Sequence, residues 1–225
     1  MERYSRNMNM LSKEENDKLK DFNVCVIGCG GLGGYILEFL GRLGIGYLTA
    51  VDGDVFEISN LNRQIVSDET NIGMNKANMV KRRMNKINSH VKVNAIDEFV
   101  NINNVDRIIK DHHVIVDALD NFSVRKLLQK QCKAHGIPLV HGAIAGWYGQ
   151  VCTIFPGDDT LDRIYPEDIE KGIETDLGNP SFTPALVASI QVSEVLKVLF
   201  KRGDVLQNKM LTINLYDNEY ETIAL

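Results

Sequence analysis

Four groups of residues have the types and spacing for phosphate chemistry. The first is Gly28-Cys29-Gly30-Gly31-Leu32-Gly33, which ends the apolar run NVCVIG, with Asp52 nineteen positions beyond Gly33. Glycines let a backbone approach a phosphate, and the helix start that follows offers free N–H groups. An acid at the tip of the next strand accepts from ribose hydroxyls. The same turn would also serve plain strand–helix packing, and it does not say which nucleotide is held. The second group is VDGDVFEISNLNRQIV, which places Asp52, Asp54, Ser59, Asn60, Arg63 and Gln64 at the carboxyl edge of the second strand. A nicotinamide dinucleotide needs one acid there. An arginine and an asparagine converging on that crevice suit a ligand richer in phosphate, unless the loop is ordinary polar surface.

Lys76 is the third feature. It opens a helix near Asn75 on the side that carries Ala77, Val80, Met84 and Ile87, so its ammonium points inward at the wrong end of the helix dipole. A phosphate opposite it would offset that cost. Lys81, Arg82 and Lys86 fall on the other, solvated side. Fourth, VIVDALDN delivers Asp117 near a strand end and Asp120-Asn121 just after it. Mg2+ prefers one or two carboxylates together with phosphates and waters, so Asp120 suits it; the bland alternative is a helix cap.

The elements that must position these groups alternate along the chain. Ser12 and Glu15 read as a capping box, and NVCVIG as a strand buried on both faces. Leu32, Ile36, Phe39, Leu40 and Leu43 form a helical stripe, and YLTAVD is the second strand. After the helix at Asn75 come the strand VKVNAI, a short helix VDRIIKD and the strand HVIVDALD. SVRKLLQKQCKAHG is a helix closed by Gly136, followed by the strands IPLVHGAI and YGQVCTIF. The stretch from 156 to 180 reads as a long polar loop and the most mobile part. PALVASIQVSEVLKVLFKRG is a long apolar helix, and MLTINLYD and EYETIAL are a final strand pair. The expected fold is α/β: a Rossmann-like, doubly wound, mostly parallel sheet extended by antiparallel C-terminal strands. A single domain over residues 1–225 is expected.

Bulk properties narrow the function classes. With 225 residues and 44% apolar content, the chain can bury one sizeable core, and a net charge of −5 argues against nucleic acid as the main partner. The cysteines are Cys25, Cys29, Cys132 and Cys152, with no C-x-x-C pair. No signal peptide and no apolar run long enough to span a bilayer are evident, so a cytoplasmic protein with reduced thiols and no membrane partner is expected. His141, after a strand, reads as a satisfied core histidine, and His112-His113 offer no obvious partnership.

RYSRN at 3–7, GCGGLGG, DGDVFEISNLNRQ, GMNK and DALDN follow one another in the order and spacing of the ThiF/MoeB/HesA family, the bacterial relatives of ubiquitin-activating enzymes. The sequence resembles that family from about residue 3 to the C-terminal LYDNEYETIAL. The resemblance implies ATP-dependent adenylylation of the C-terminal glycine carboxylate of a small ubiquitin-like sulfur carrier of ThiS or MoaD type, ending in Gly-Gly. Pyrophosphate would be released, and the pathway would be thiamine or molybdopterin biosynthesis. It implies that Asp52 holds the ribose with Gly31 beside the nucleotide, and that Asn60, Arg63 and Lys76 contact the triphosphate. Asp120 would bind Mg2+ with Asn121 adjacent, and Ser59 and Gln64 complete the expected ATP set. Arg6 resembles an arginine supplied by a neighbouring subunit, so a homodimer is expected. Residues to about 145 would form the nucleotide-binding half and about 146–225 the carrier-docking half.

The sequence departs from the family at two places. Many members carry two C-x-x-C pairs for a structural zinc; here Thr160-Leu161-Asp162-Arg163 stands at the first and the second is missing, so no zinc is expected. Some members carry a cysteine in the crossing loop; IEKGIETDLGNPSFTPAL has none, which implies an acyl-adenylate handed to a separate sulfur donor. The competing readings are an NAD(P)-dependent oxidoreductase, which needs an acid or base near a nicotinamide, and a scaffold without catalysis. The phosphate-directed set Arg6, Arg63, Lys76 and Asp120 argues against the scaffold.

Overall fold

The structure is a computed structural model that describes residues 2–165 and 177–225. Eight strands form one sheet: β1 (Asn23–Ile27), β2 (Tyr47–Val51), β3 (Lys92–Ile96), β4 (Val114–Asp117), β5 (Leu139–Ala145), β6 (Tyr148–Ile154), β7 (Lys209–Asn214) and β8 (Glu219–Ala224). Their order is β3-β2-β1-β4-β5-β6-β7-β8. β1 to β5 pair in parallel, whereas β5–β6, β6–β7 and β7–β8 are antiparallel. Among the described residues the α-helices are α1 (Lys13–Lys18), α2 (Gly31–Leu43), α3 (Lys76–Ile87), α4 (Val105–Ile109), α5 (Phe122–His135), α6 (Thr160–Ile164) and α7 (Phe182–Phe200).

Why β1 is apolar throughout follows from its place. Successive side chains leave a strand on opposite faces, and both faces here are covered. Val24 and Val26 join the core under α2, α3 and α7, while Cys25 and Ile27 join the core under α4, α5 and α6. Local signals set the helix ends. Ser12 and Glu15 exchange the two hydrogen bonds of a capping box at α1. Asn75 caps α3 by accepting from the Asn78 N–H, and Gly136 closes α5 in the left-handed region. α2 and α3 are joined by Glu38, a buried carboxylate that accepts from Arg42 and Arg83, each at 2.7 Å.

Three expectations need correction. The stretch expected to be loop from 156 to 180 contains α6, whose Leu161 is fully buried. Gln129 on α5 accepts from the Leu161 N–H at 2.7 Å and donates to Asp162 at 3.0 Å, so this segment is held by packing and hydrogen bonds. Residues 166–176 of that stretch lie outside the described residues. α7 begins two residues before Pro184, which falls in the first turn, where proline's missing N–H costs nothing. Finally, α7 is long and apolar enough to cross a bilayer by length and composition. It packs instead against α2, β4, β5 and β6, the position of a core helix.

Candidate active site

Strand order reverses direction between β1 and β4, and α/β sheets place ligands at such a point, outside the carboxyl ends of their strands. A cavity of about 350 Å3 opens there. It brings together Gly31, Asp52, Asn60, Arg63, Gln64, Lys76 and Asp120 from four separate stretches of chain. Three other expected residues do not line it. The Ser59 hydroxyl donates to Glu57, and Asn121 caps α5 by accepting from the Val124 N–H at 3.1 Å. Arg6 is exposed on a short 3-10 helix over Glu2–Asn7.

The glycine turn is dictated by close approach. A Cβ on Gly33 would sit 1.8 Å from the Gly28 carbonyl oxygen, so any other residue would push the start of α2 away from the β1 loop. Asp52 is held as an acceptor: its two oxygens receive the Cys29 N–H at 2.7 Å and the Asp54 N–H at 2.9 Å. Burial raises its carboxyl above the ordinary range against those bonds. The Arg63 guanidinium is fixed by the Ser59 carbonyl and Asn62 at 3.0 and 2.9 Å, while its stem lies over Gly31.

Lys76 is buried at the start of α3, as its helical position suggested, and its ammonium meets the Asp54 carboxylate at 2.5 Å. Burial pushes the Asp54 carboxyl up, but the Lys76 ammonium and the Val55 N–H outweigh it and hold the group below the usual range. The charge opposing Lys76 within the chain is therefore a carboxylate, one exposed enough to turn aside for a phosphate.

Behind Asp120 lies a buried cluster. Asp117 is fully buried and pairs with His141 at 2.7 Å and Arg125 at 3.7 Å, so it faces away from the cavity. Burial pushes the His141 imidazolium pKa down more than Asp117 raises it, which keeps the ring neutral. Arg125 donates through Nε and Nη2 to the Leu119 carbonyl and reaches the Tyr165 hydroxyl at 3.5 Å. Burial pushes that phenol up to about 12. These bonds set the turn that presents Asp120. All four cysteines are buried away from solvent.

Sequence reasoning missed Phe99, Arg125 and Asn179 as cavity residues. Arg125 stands five positions after the acid it serves, but its side-chain direction depends on α5. Asn179 carried only a turn-forming Asn-Pro signal, and its carbonyl accepts from Asn62 at 3.1 Å.

Two observations fit a polar, phosphate-bearing ligand. The amide oxygens Gln64 Oε1 and Asn179 Oδ1, both on cavity residues, are buried and have no hydrogen-bond partner among the described residues. Arg63, Lys76 and Asn60 supply cationic and amide groups to the same cavity as the α2 N-terminus. Among the described residues no three His, Cys, Asp or Glu side chains are grouped to hold a metal. A magnesium ion fits this donor set only together with the phosphates, with Asp120 as the carboxylate. No histidine is among the described residues lining the cavity, which leaves a nicotinamide without an imidazole partner.

The ThiF family pattern matches residues 4–225. The chain belongs to the ThiF family. Within the wider set of relatives, it is 36% identical over 228 residues to the SAMP-activating enzyme E1 of Haloferax volcanii, covering 99% of this chain and 84% of that protein. It is 34% identical over 206 residues to the sulfur carrier protein ThiS adenylyltransferase of Bacillus subtilis, covering 90% of this chain and 61% of that one. E. coli MccB solved with ATP shares the ThiF-type fold at a TM-score of 0.81 and 24% identity, covering 99% of this chain and 70% of MccB.

Proposed function

We propose that this ThiF-family chain is an ATP-dependent adenylyltransferase that activates the C-terminal glycine carboxylate of a small ubiquitin-like carrier protein. The observation that carries the reading is the convergence of Arg63, Lys76, Asn60 and the α2 start with Asp52 and Asp120 on one cavity. Relatives named as a SAMP-activating enzyme and a ThiS adenylyltransferase support the reaction class.

The chemistry explains the residue choice. A carboxylate is a weak nucleophile and both reactants are anions, so positioning and electrostatics must do most of the work. A carrier carboxylate oxygen bonds to the α-phosphorus, the bond to the bridging oxygen breaks, and pyrophosphate leaves. Arg63 and Lys76 hold the phosphate oxygens while the charge shifts to the leaving group. Asp52 fixes the ribose, which sets the angle of approach. Magnesium, held by Asp120 and the phosphates, would supply further charge neutralisation.

A sulfur carrier of ThiS or MoaD type is the proposed substrate, with the acyl-adenylate passed to a separate sulfur donor. The proposed assembly is a homodimer in which Arg6, absent from its own cavity, reaches the partner's. The decisive experiment is isotope exchange of pyrophosphate into ATP, with Mg2+ and an added carrier ending in Gly-Gly. Exchange that requires both, and that Asp120→Ala abolishes, is the expected result. No exchange with any such carrier would refute the reading.

A further inference from the structure

Arg63 carries a planar fork of N–H donors, and the fold occupies only one corner of it. Nη1 donates to the Ser59 carbonyl at 3.0 Å and to the Asn62 side chain at 2.9 Å. Nε and Nη2 donate to no acceptor among the described residues. That free edge is the one that grips a phosphate through two parallel hydrogen bonds. It lies at the cavity beside the start of α2, where a Cβ on Gly31 would fall 3.7 Å from Arg63 Nε.

Asn62 is what keeps this edge forward. Its Oδ1 accepts from Arg63 Nη1, and its Nδ2 donates to the Asn179 carbonyl at 3.1 Å, across 117 positions of chain. A guanidinium only donates and a carbonyl only accepts, so the Asn62 amide has one orientation that satisfies both. The Asn179 backbone is seated in turn, because the neighbouring Gly178 carbonyl accepts from the Gly146 N–H at 2.7 Å. Asn62 itself is exposed, and a hydrogen bond in water adds little to stability. Its weight lies in the direction that it gives the guanidinium.

We propose that Asn62 is a positioning residue for the phosphate-directed arginine. Together with the Ser59 carbonyl it holds Nη1 at the back, so that the Nε–Nη2 edge of Arg63 meets the triphosphate. The assignment rests on the adenylyltransferase reading above and deepens it. Asn62 acts only through Arg63 and touches no substrate. Without it the guanidinium turns freely on its stem, and an incoming phosphate must order a rotamer-rich side chain as it binds.

The test is a double-mutant cycle on Asn62→Ala and Arg63→Lys, in which inorganic tripolyphosphate and ATP are titrated by calorimetry with chelator present. Lysine keeps the charge but has no fork to orient. Asn62→Ala should weaken both ligands about fivefold when Arg63 is present, and should cost nothing further in the Arg63→Lys background. Asn62→Leu, which fills the space without an amide, should behave as Asn62→Ala. Adenosine, which carries no phosphate, should bind the wild type and both Asn62 variants alike. An exposed side chain is being replaced, so these variants should fold, which an unchanged thermal midpoint checks. Unchanged tripolyphosphate affinity in the Asn62 variants overturns the assignment and leaves the adenylyltransferase reading intact. So do losses that multiply in the double variant, or an equal loss for adenosine. A wild-type chain that binds neither ATP nor tripolyphosphate overturns both.

Discussion

Lys76 shows how a single residue can be placed by sequence and then given its partner by the fold. Its helical position puts the ammonium inside, and the structure puts the Asp54 carboxylate against it at 2.5 Å. Asp54 therefore keeps the lysine aimed at the cavity, and it also repels an incoming phosphate. Asp54→Asn should tighten binding of metal-free ATP by about fivefold, the order expected from deleting one negative charge near a partly screened phosphate. Lys76→Met should lose triphosphate binding in the same calorimetric titration with chelator present. If metal-free ATP binds Asp54→Asn no better than wild type, the carboxylate does not compete with phosphate.

Among the elements, α2 has the heaviest duty: its N-terminus faces the cavity and its flank carries Glu38. Burial raises the Glu38 carboxyl, but its bonds to Arg83 and Arg42 outweigh that and hold it below the ordinary glutamate value of 4.5. The sign follows directly. The stabilisation is complete above the unfolded pKa and is lost as pH falls through the lower folded value. Glu38→Gln should cost about 1–3 kcal/mol in urea unfolding at pH 7, the range for hydrogen bonds to charged groups. The gap between variant and wild type should narrow as pH falls below the ordinary glutamate value. A gap that stays constant with pH would show that shape rather than charge joins α2 to α3.

At the scale of the molecule, the cavity lacks Arg6, which is exposed elsewhere on the chain. If a second copy supplies it, Arg6→Ala and Asp120→Ala chains, each nearly inactive, should recover activity when mixed through hybrid sites. A phosphate-bridging arginine in trans can be worth about 10³–10⁵ in rate, so partial recovery would be easy to detect. Failure to recover any would count against the shared site. A second global property is pH-linked stability. Burial lowers the pKa of His141 and of His112 below the ordinary 6.5. The unfolded chain thus takes up protons in acid that the folded chain refuses, and stability is lost as pH falls below that value. The thermal midpoint should drop between pH 7.5 and pH 5.5, read by calorimetry; a flat profile would contradict the buried neutral rings.

The sequence by itself determined the strand–helix alternation, the helix ends at Ser12 and Gly136 and a helix start near Asn75, and it singled out Arg63, Lys76 and Asp120, which the structure places on one cavity. Periodicity, capping and glycine spacing are local, so they can be read along the chain. α6 escaped because five residues carry too little periodic signal to stand out from a loop. Only the tertiary structure decided which residues share the cavity. Phe99, Arg125 and Asn179 reach it from three distant segments, and Asp117 turns from it because β5 brings His141 alongside. Contacts across a sheet depend on strand order and register, and no spacing along one chain records those.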